Sequence, residues 1–596
     1  MTIYRTLLTR GYFPKELPPG FYSEQFARYA TSLPGRALLA KYKPLENYTS
    51  AVVYNLALPG HNRRELRILH PFSFAQLAGL ASKNLSRLLR LAAQSKFTKC
   101  RPIYAANRQR AIQPIMNQSN LAKERSAMRA GAAFVLKADL SQFYPSLYTH
   151  AVGWAIDPKL RQKANWHKPK FLGARIEQAL MDSSGKSSHG LPIGNDVSFL
   201  LAECVLARVD RATRFPKERS FRWYDDYEIA FDTREEAEKG LSKLRQQLDQ
   251  FKLRLNPAKT RILELPTNSQ PSWQHQLKLT EMAGARFRNP NDVVRYFDSA
   301  FTLREQYPDS AVLTYAIGTL FKIVQPDAEI GRIAQSCITQ ALLAEPGAAQ
   351  KAFALLSFWQ LNGFSLNIDL IRDTICRMIL RHQSRGANSD IAWALAFSIQ
   401  HKIDLTKQAA RVLCGFDDDS IILQGFHLKS LNLLRSGFMV DPTRKRLKNA
   451  DLDRDHWLLC YESVRQGFLT DAVSAVNSNA LFADLLLKKV TFYRTKLPEY
   501  AIVVHPGGAP EWVVRGWLNL LRKPLDPEKP GTKRPEGETF AKVERDVAAL
   551  SSVPPTADET VEALLEVEMK KAGEVPDLPS EAEEVPEVSE NLSDAG

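Results

Sequence analysis

The chain has 596 residues, too many for one hydrophobic core, so three or four units are expected. The composition is that of a soluble globular protein: no run of 18 apolar residues marks a membrane span, and the opening "MTIYRTLLTRGYFPKEL" lacks the unbroken apolar stretch of a signal peptide. The formal charge of +15 is uneven, because the residues from Ser551 onward carry −11 and leave +26 on residues 1–550, a basic body suited to a polyanion.

Residues 1–130 read as mixed structure, with helical stretches such as "FAQLAGLASKNLSRLLRLAAQ" (74–94) followed by a basic segment, "SKFTKCRPIYAANRQRAIQP" (95–114). From 131 to 265 short strand-like runs alternate with helices, which predicts an α/β or α+β region. "FVLKADLSQFY" is a strand that ends in a carboxylate. "DVSFLLAECVLARVDRAT" and "EEAEKGLSKLRQQLDQF" are amphipathic helices, the second with opposite charges spaced to pair on its exposed face. From about 300 to 495 the pattern is helical throughout. Apolar helices open near Ser310, Lys351, Asp390, Ser420 and His456, at steps of 41, 39, 30 and 36 residues. That irregular period fits either HEAT-like helix pairs stacked as a solenoid or an ordinary helical domain. Beyond about 522, Pro, Glu, Lys and Ser dominate, which predicts a disordered acidic tail with at most one helix near 557–572. The six cysteines form no CxxC and pair with no His, which argues against a disulfide scaffold or zinc module and for a reducing cytoplasm.

One stretch resists this plain reading. "FRWYDDYEIAF" (221–231) sets Asp225 beside Asp226 inside an aromatic, apolar run. Adjacent carboxylates raise each other's pKa unless a cation neutralises them. A solvated hairpin tip would also explain the pair, and a second acidic cluster, "GFDDDS" (Asp417, Asp418, Asp419, Ser420), reads as a helix N-cap. A third carboxylate on another strand separates the two readings. Asp139, which closes the strand "FVLKAD" 86 residues before Asp225, supplies it. Hard oxygen ligands with room for water and phosphate suit Mg²⁺, with Mn²⁺ as an alternative, and two such ions can clamp the attacking and leaving oxygens of a phosphoryl transfer.

At this point the chain resembles the reverse transcriptases, with four of their blocks in family order over about 120 residues. Motif A is similar to "KADLSQFYPS", motif B to "GLPIGNDVS" (190–198), motif C to "RWYDDY" and motif D to "LRLNPAKT" (253–260). The resemblance implies a right-hand polymerase, with fingers in 1–130, palm in 131–275, a helical domain replacing the thumb in 276–521 and the tail in 522–596. It implies that Asp139, Leu140, Asp225 and Asp226 hold the catalytic metals. Tyr144 falls where the family's aromatic gate excludes a ribose 2′-hydroxyl, or is an ordinary core tyrosine. Leu140, Gly190, Pro192, Gly194 and Ser198 are implied around the templating base and incoming nucleotide, where glycine permits close backbone approach. Lys259 either assists the departing pyrophosphate or is a solvated lysine after a turn. Arg110 either binds triphosphate or is a surface arginine. Two residues depart from the pattern: Ile193 stands for the common Gln of motif B, and the bulky Tyr224 precedes the aspartates of motif C.

The opening "RGYFPKELPPGFYSEQFA" (10–27), the form of motif B and "ELP…W" (Glu264 to Trp273) resemble bacterial defence-associated reverse transcriptases of the abortive-infection and "unknown group" lineage. The maturase or HNH additions of group II intron enzymes and the "VTG" and "NAxxH" words of retrons are absent. The expectation is an RNA-directed or template-independent DNA polymerase in antiphage defence. Its partners would be dNTPs, RNA (a dedicated non-coding RNA among the options) and cDNA, with no membrane and with a homo-oligomer compatible. The alternatives are a catalytically idle RNA-binding scaffold, an RNA-dependent RNA polymerase, and a retron-like or group II intron-like enzyme.

Overall fold

The computed structural model describes residues 2–513 except 61, 107, 117–119, 167, 284–286, 384, 385, 387, 455, 506, 507, 511 and 512. The acidic tail and the helix expected near 557–572 lie outside the described residues. Strand β1 (Val52–Ala57) pairs with β2 (Arg63–Ile68), and a shorter hairpin joins β3 (Pro102–Tyr104) to β4 (Ile112–Pro114). The central sheet has the order β6-β7-β5-β8, all antiparallel, formed by β5 (Phe134–Asp139), β6 (Ser220–Trp223), β7 (Asp226–Phe231) and β8 (Arg261–Glu264).

Alternation along β5 buries this sheet on both faces. Leu136 and Ala138, with Tyr227 and Ile229 of β7, join the main core, against which the helices Asp196–Thr213 and Arg234–Asp249 are packed. Val135, Phe221 and Ala230 turn the other way and form a separate cluster under the helix Leu121–Met128. On that same face Glu228 binds Arg125 at 2.8 Å and Arg129 at 2.5 Å, so its charge is neutralised where it is buried.

C-terminal to the sheet, helices stack in two rows with alternate helices touching. One row runs Pro290–Gln306, Ala328–Ala344, Ile368–His382, Lys407–Leu413. The other runs Val312–Thr319, Ala349–Leu361, Ser389–His401, Asp419–Ser430, Trp457–Arg465. The second row is the set of five apolar helices visible in the sequence, and Asp418 caps its fourth member by accepting from the N–H groups of Ser420 and Ile421, as expected of "GFDDDS".

The change of pattern near 276 is a change of secondary structure but not a gap in space. The described residues all fall in one compact unit, because the second row packs back on the N-terminal segment. Helices Ser389–His401 and Asp419–Ser430 lie on β1. Ser389 Oγ accepts from Ala57 N at 2.8 Å, and the Glu16 carbonyl accepts from both Trp393 Nε1 and Tyr54 Oη. Among the described residues no helix is long and apolar enough to cross a membrane, and all six cysteines are free.

Candidate active site

The turn between β6 and β7 has two residues, Tyr224 and Asp225, so the acidic pair is split between turn and strand. Tyr224 adopts φ +52°, a left-handed conformation that suits a tight hairpin but strains a bulky residue. Two contacts hold it there: Cys100 Sγ accepts from Tyr224 N at 3.2 Å, and Arg222 Nη1 donates to its carbonyl at 2.8 Å. Arg222 is itself fully buried and binds Glu203 (3.0 Å) and Asp210 (2.8 Å) of the helix Asp196–Thr213. Tyr227 Oη and Ser95 Oγ donate to the same Asp210. This ion network carries the hairpin on the long helix.

Asp226 opens β7 directly opposite Asp139, the last residue of β5. The central strand therefore brings a carboxylate from residue 139 beside one from residue 226, and Leu140 N donates to the Asp225 carbonyl at 3.3 Å. Crowding by the surrounding protein, then the charges of Asp225 and Asp139 and a hydrogen bond with Asp139, push the Asp226 carboxyl up to about 7. Burial foremost, with Asp139, also raises Asp225, against the opposing pull of Arg64 and Lys259. Lys259 Nζ lies 3.1 Å from Asp139 Oδ2, and Asn256 Nδ2 lies 3.3 Å from Oδ1. Among the described residues no three acidic, imidazole or thiol groups converge on one point. Asp139 and Asp226 are already partners, and Asp225 stands close enough to raise Asp226. This donor set fits a hard divalent cation: carboxylate oxygens alone, with one of them holding a proton near neutrality that a cation would replace.

Tyr144 lies in the short helix Phe143–Ser146 after β5, half-buried. Burial first, then the negative charge of groups including Tyr224, Glu203 and Asp225, holds its phenol well above the ordinary value. The loop 190–195 is sewn to this turn: Leu191 N donates to the Tyr144 carbonyl at 2.9 Å and Gly190 N to that of Leu147 at 3.0 Å. Gly190 and Gly194 have φ +87° and +117°, and a Cβ on Gly194 would come within 2.6 Å of Pro14. Pro192 is buried, and its carbonyl accepts from Asn195 Nδ2.

Two residues expected at the nucleotide have partners within the fold. Ser198 is fully buried at the third position of the long helix, where its N–H donates to Oδ1 of the N-cap Asn195 and its hydroxyl accepts from Asn195 Nδ2. Arg110 is half-buried rather than a free surface arginine. Its guanidinium donates to Asp196 Oδ1, the Phe13 carbonyl and the Gly194 carbonyl, and so braces the motif B loop.

Sequence reasoning missed the Arg222–Glu203–Asp210 network, Cys100, Asn256 and Arg64. Glu203 and Asp210 lie seven residues apart on one face of an amphipathic helix, among apolar neighbours, which was the available signal for a buried partner. Arg64 gave none. It reaches the site because β2 runs beside the motif B loop, with Arg67 N donating to the Ile193 carbonyl at 2.9 Å.

Residues 84–282 match the family model described as "Reverse transcriptase (RNA-dependent DNA polymerase)". No curated protein matches the chain. Among solved structures it is similar to the telomerase of Candida albicans in complex with a TWJ fragment of telomeric RNA, at 11% identity and a TM-score of 0.25 over 70% of each chain. The matched segment contains Asp139, Asp225, Asp226 and Lys259 on one sheet and its connections. Residues 84–282 are thus a reverse transcriptase domain, and the chain that carries it is an RNA-directed DNA polymerase, a nucleotidyltransferase.

Proposed function

We propose that this enzyme extends a DNA 3′ end with dNTPs by two-metal nucleotidyl transfer, copying RNA. The observation that carries the reading is the pairing of Asp139 with Asp226 across β5 and β7, with Lys259 on Asp139 and Asp225 in the adjoining turn. Asp139, Asp225 and Asp226 would hold Mg²⁺, or Mn²⁺, with Leu140 alongside. Once bound, the ions supply Lewis-acid stabilisation of the phosphoryl oxygens. The chain's own groups do the rest. Asp226 gives up its proton near neutral pH as it takes on the ligand role. Lys259, largely exposed, is long enough to leave Asp139 and donate to the departing pyrophosphate. Arg64, whose charge is felt at Asp225, would meet the phosphate chain from β2. Tyr144 would press a flat ring against the sugar where a 2′-hydroxyl would otherwise sit.

A catalytically idle scaffold is disfavoured, because carboxylates with raised pKa values at the end of a buried strand are costly to keep without use. The two helical rows support a HEAT-like repeat domain after the palm, and the motif wording at 10–27, 190–198 and 264–273 supports a role in bacterial antiphage defence, in the cytoplasm, with RNA and cDNA as partners. The test of substrate class is Tyr144→Ala. It should raise rNTP use relative to dNTP by about tenfold, equal to ~1.4 kcal/mol of lost discrimination. An unmoved ratio in single-nucleotide incorporation would make Tyr144 a packing residue.

A further inference from the structure

The long helix Asp196–Thr213 has its N-terminus at the motif B loop and its C-terminus about 27 Å away, at a rise of ~1.5 Å per residue. That far end is electropositive. A cleft of about 370 Å³ is lined there by Arg208, Arg211, Ala212 and Arg214. Arg208 is anchored through Nε to the Ala155 carbonyl at 2.9 Å, and Gln94 Oε1 accepts from both Arg208 and Arg211 at 3.3–3.4 Å. The nearby acid is already used, since Asp157 takes Arg87 at 2.6 Å and the Gly173 N–H at 2.7 Å. Burial, and then the like charges of Arg211 and Arg87, lower the Arg208 guanidinium from its ordinary value. Guanidinium groups are thus gathered against their mutual repulsion, as at sites for phosphate.

From the same place, directly after Asp157, the chain enters segment 158–170, "PKLRQKANWHKPK", which holds five Lys and Arg and no acid. Leu160 pins it to the body, and Arg161 is spent over the rings of Trp154 and Phe251. Lys159, Lys163, Lys168 and Lys170 are exposed. Between them Trp166 is 50% exposed, a large indole with no core to fill. An open aromatic face among cations suits a base stacked beside its own phosphates, a combination typical of single-stranded nucleic acid recognition.

We propose that this end of the palm is a second RNA site, separate from the carboxylates, which holds an unpaired strand with phosphates in the Arg208–Arg211–Arg214 cleft and a base on Trp166. The choice of RNA over another polyanion rests on the polymerase reading; the surface itself does not. The test uses the full chain and a 5′-labelled 20-nucleotide oligo(U) RNA, followed by fluorescence anisotropy across a salt series without dNTPs. Arg211→Gln with Arg214→Gln should reduce the log–log salt slope by about 1.4, two single-strand phosphate contacts. Trp166→Ala should weaken binding about tenfold and leave the slope unchanged. Both variants alter exposed side chains, so melting temperature and incorporation at saturating primed template should stay at wild-type values. Unchanged RNA binding in both variants would overturn the proposal, as would tighter binding of a DNA strand of the same sequence, which would make the surface a product site. Because binding is read without chemistry, failure of the enzyme to polymerise would leave this result standing.

Discussion

Asp226 is the residue at which the cost of the site is most visible. Its carboxyl is raised to about 7 by crowding and by Asp225 and Asp139, so the folded state binds more protons than the unfolded chain between roughly pH 4 and 7. Stability from this group is complete below the unfolded pKa and falls as pH rises through the folded one. Asp226→Asn should therefore raise the melting temperature of the metal-free protein at pH 8 and have little effect at pH 4.5; an equal shift at both would remove the shared proton from the account. The three aspartates were legible in the sequence because like charges in an apolar run demand a physical reason. Ser198 lies at the third position of its helix, where the N-cap Asn195 takes its N–H; an asparagine just before the apolar run is the signal for that place. The contacts of Arg110 were not legible, because its partner Asp196 is 86 residues away and only the fold brings them together.

At the level of elements, the β6–β7 hairpin and the long helix act as one piece. The hairpin reading of "FRWYDDYEIAF" was correct in kind, since strand-forming residues flank a polar centre, but its tip is Tyr224–Asp225. What fixes that tip is Arg222, which looks like an ordinary charged residue in a strand and is fully buried. Arg222→Met should cost about 3–5 kcal/mol, because Glu203 and Asp210 would be left buried without a counter-charge. Adding Glu203→Gln and Asp210→Asn should recover most of that loss, measured by urea denaturation; no recovery would show that the arginine stabilises through packing alone. Helix positions along 300–495 were readable because the second row is apolar nearly all round. The first row, more amphipathic, blends into its connections in the sequence and emerges only from the packing.

Across the whole molecule, the helical rows are not an appendage. They grip the N-terminal segment through Ser389 and Trp393 and lie on β1, while β2 of that hairpin bonds to the Ile193 carbonyl in the motif B loop. A continuous path of packed backbone thus leads from residues 389–430 to the loop 190–195. The +26 of residues 1–550 suits a polyanion partner, but composition gave no hint that the C-terminal helices fold back on the first 70 residues, since no local pattern encodes contacts more than 300 residues apart. The palm with its carboxylates is the centre of this arrangement. Its most direct test is RNA-templated incorporation of labelled dNTPs with Mg²⁺ or Mn²⁺ by the full chain and by Asp225→Ala/Asp226→Ala. Loss of incorporation in the double variant, with a melting temperature equal to or above that of the parent, is the expected result, whereas continued synthesis by the double variant would contradict the assignment of the catalytic carboxylates.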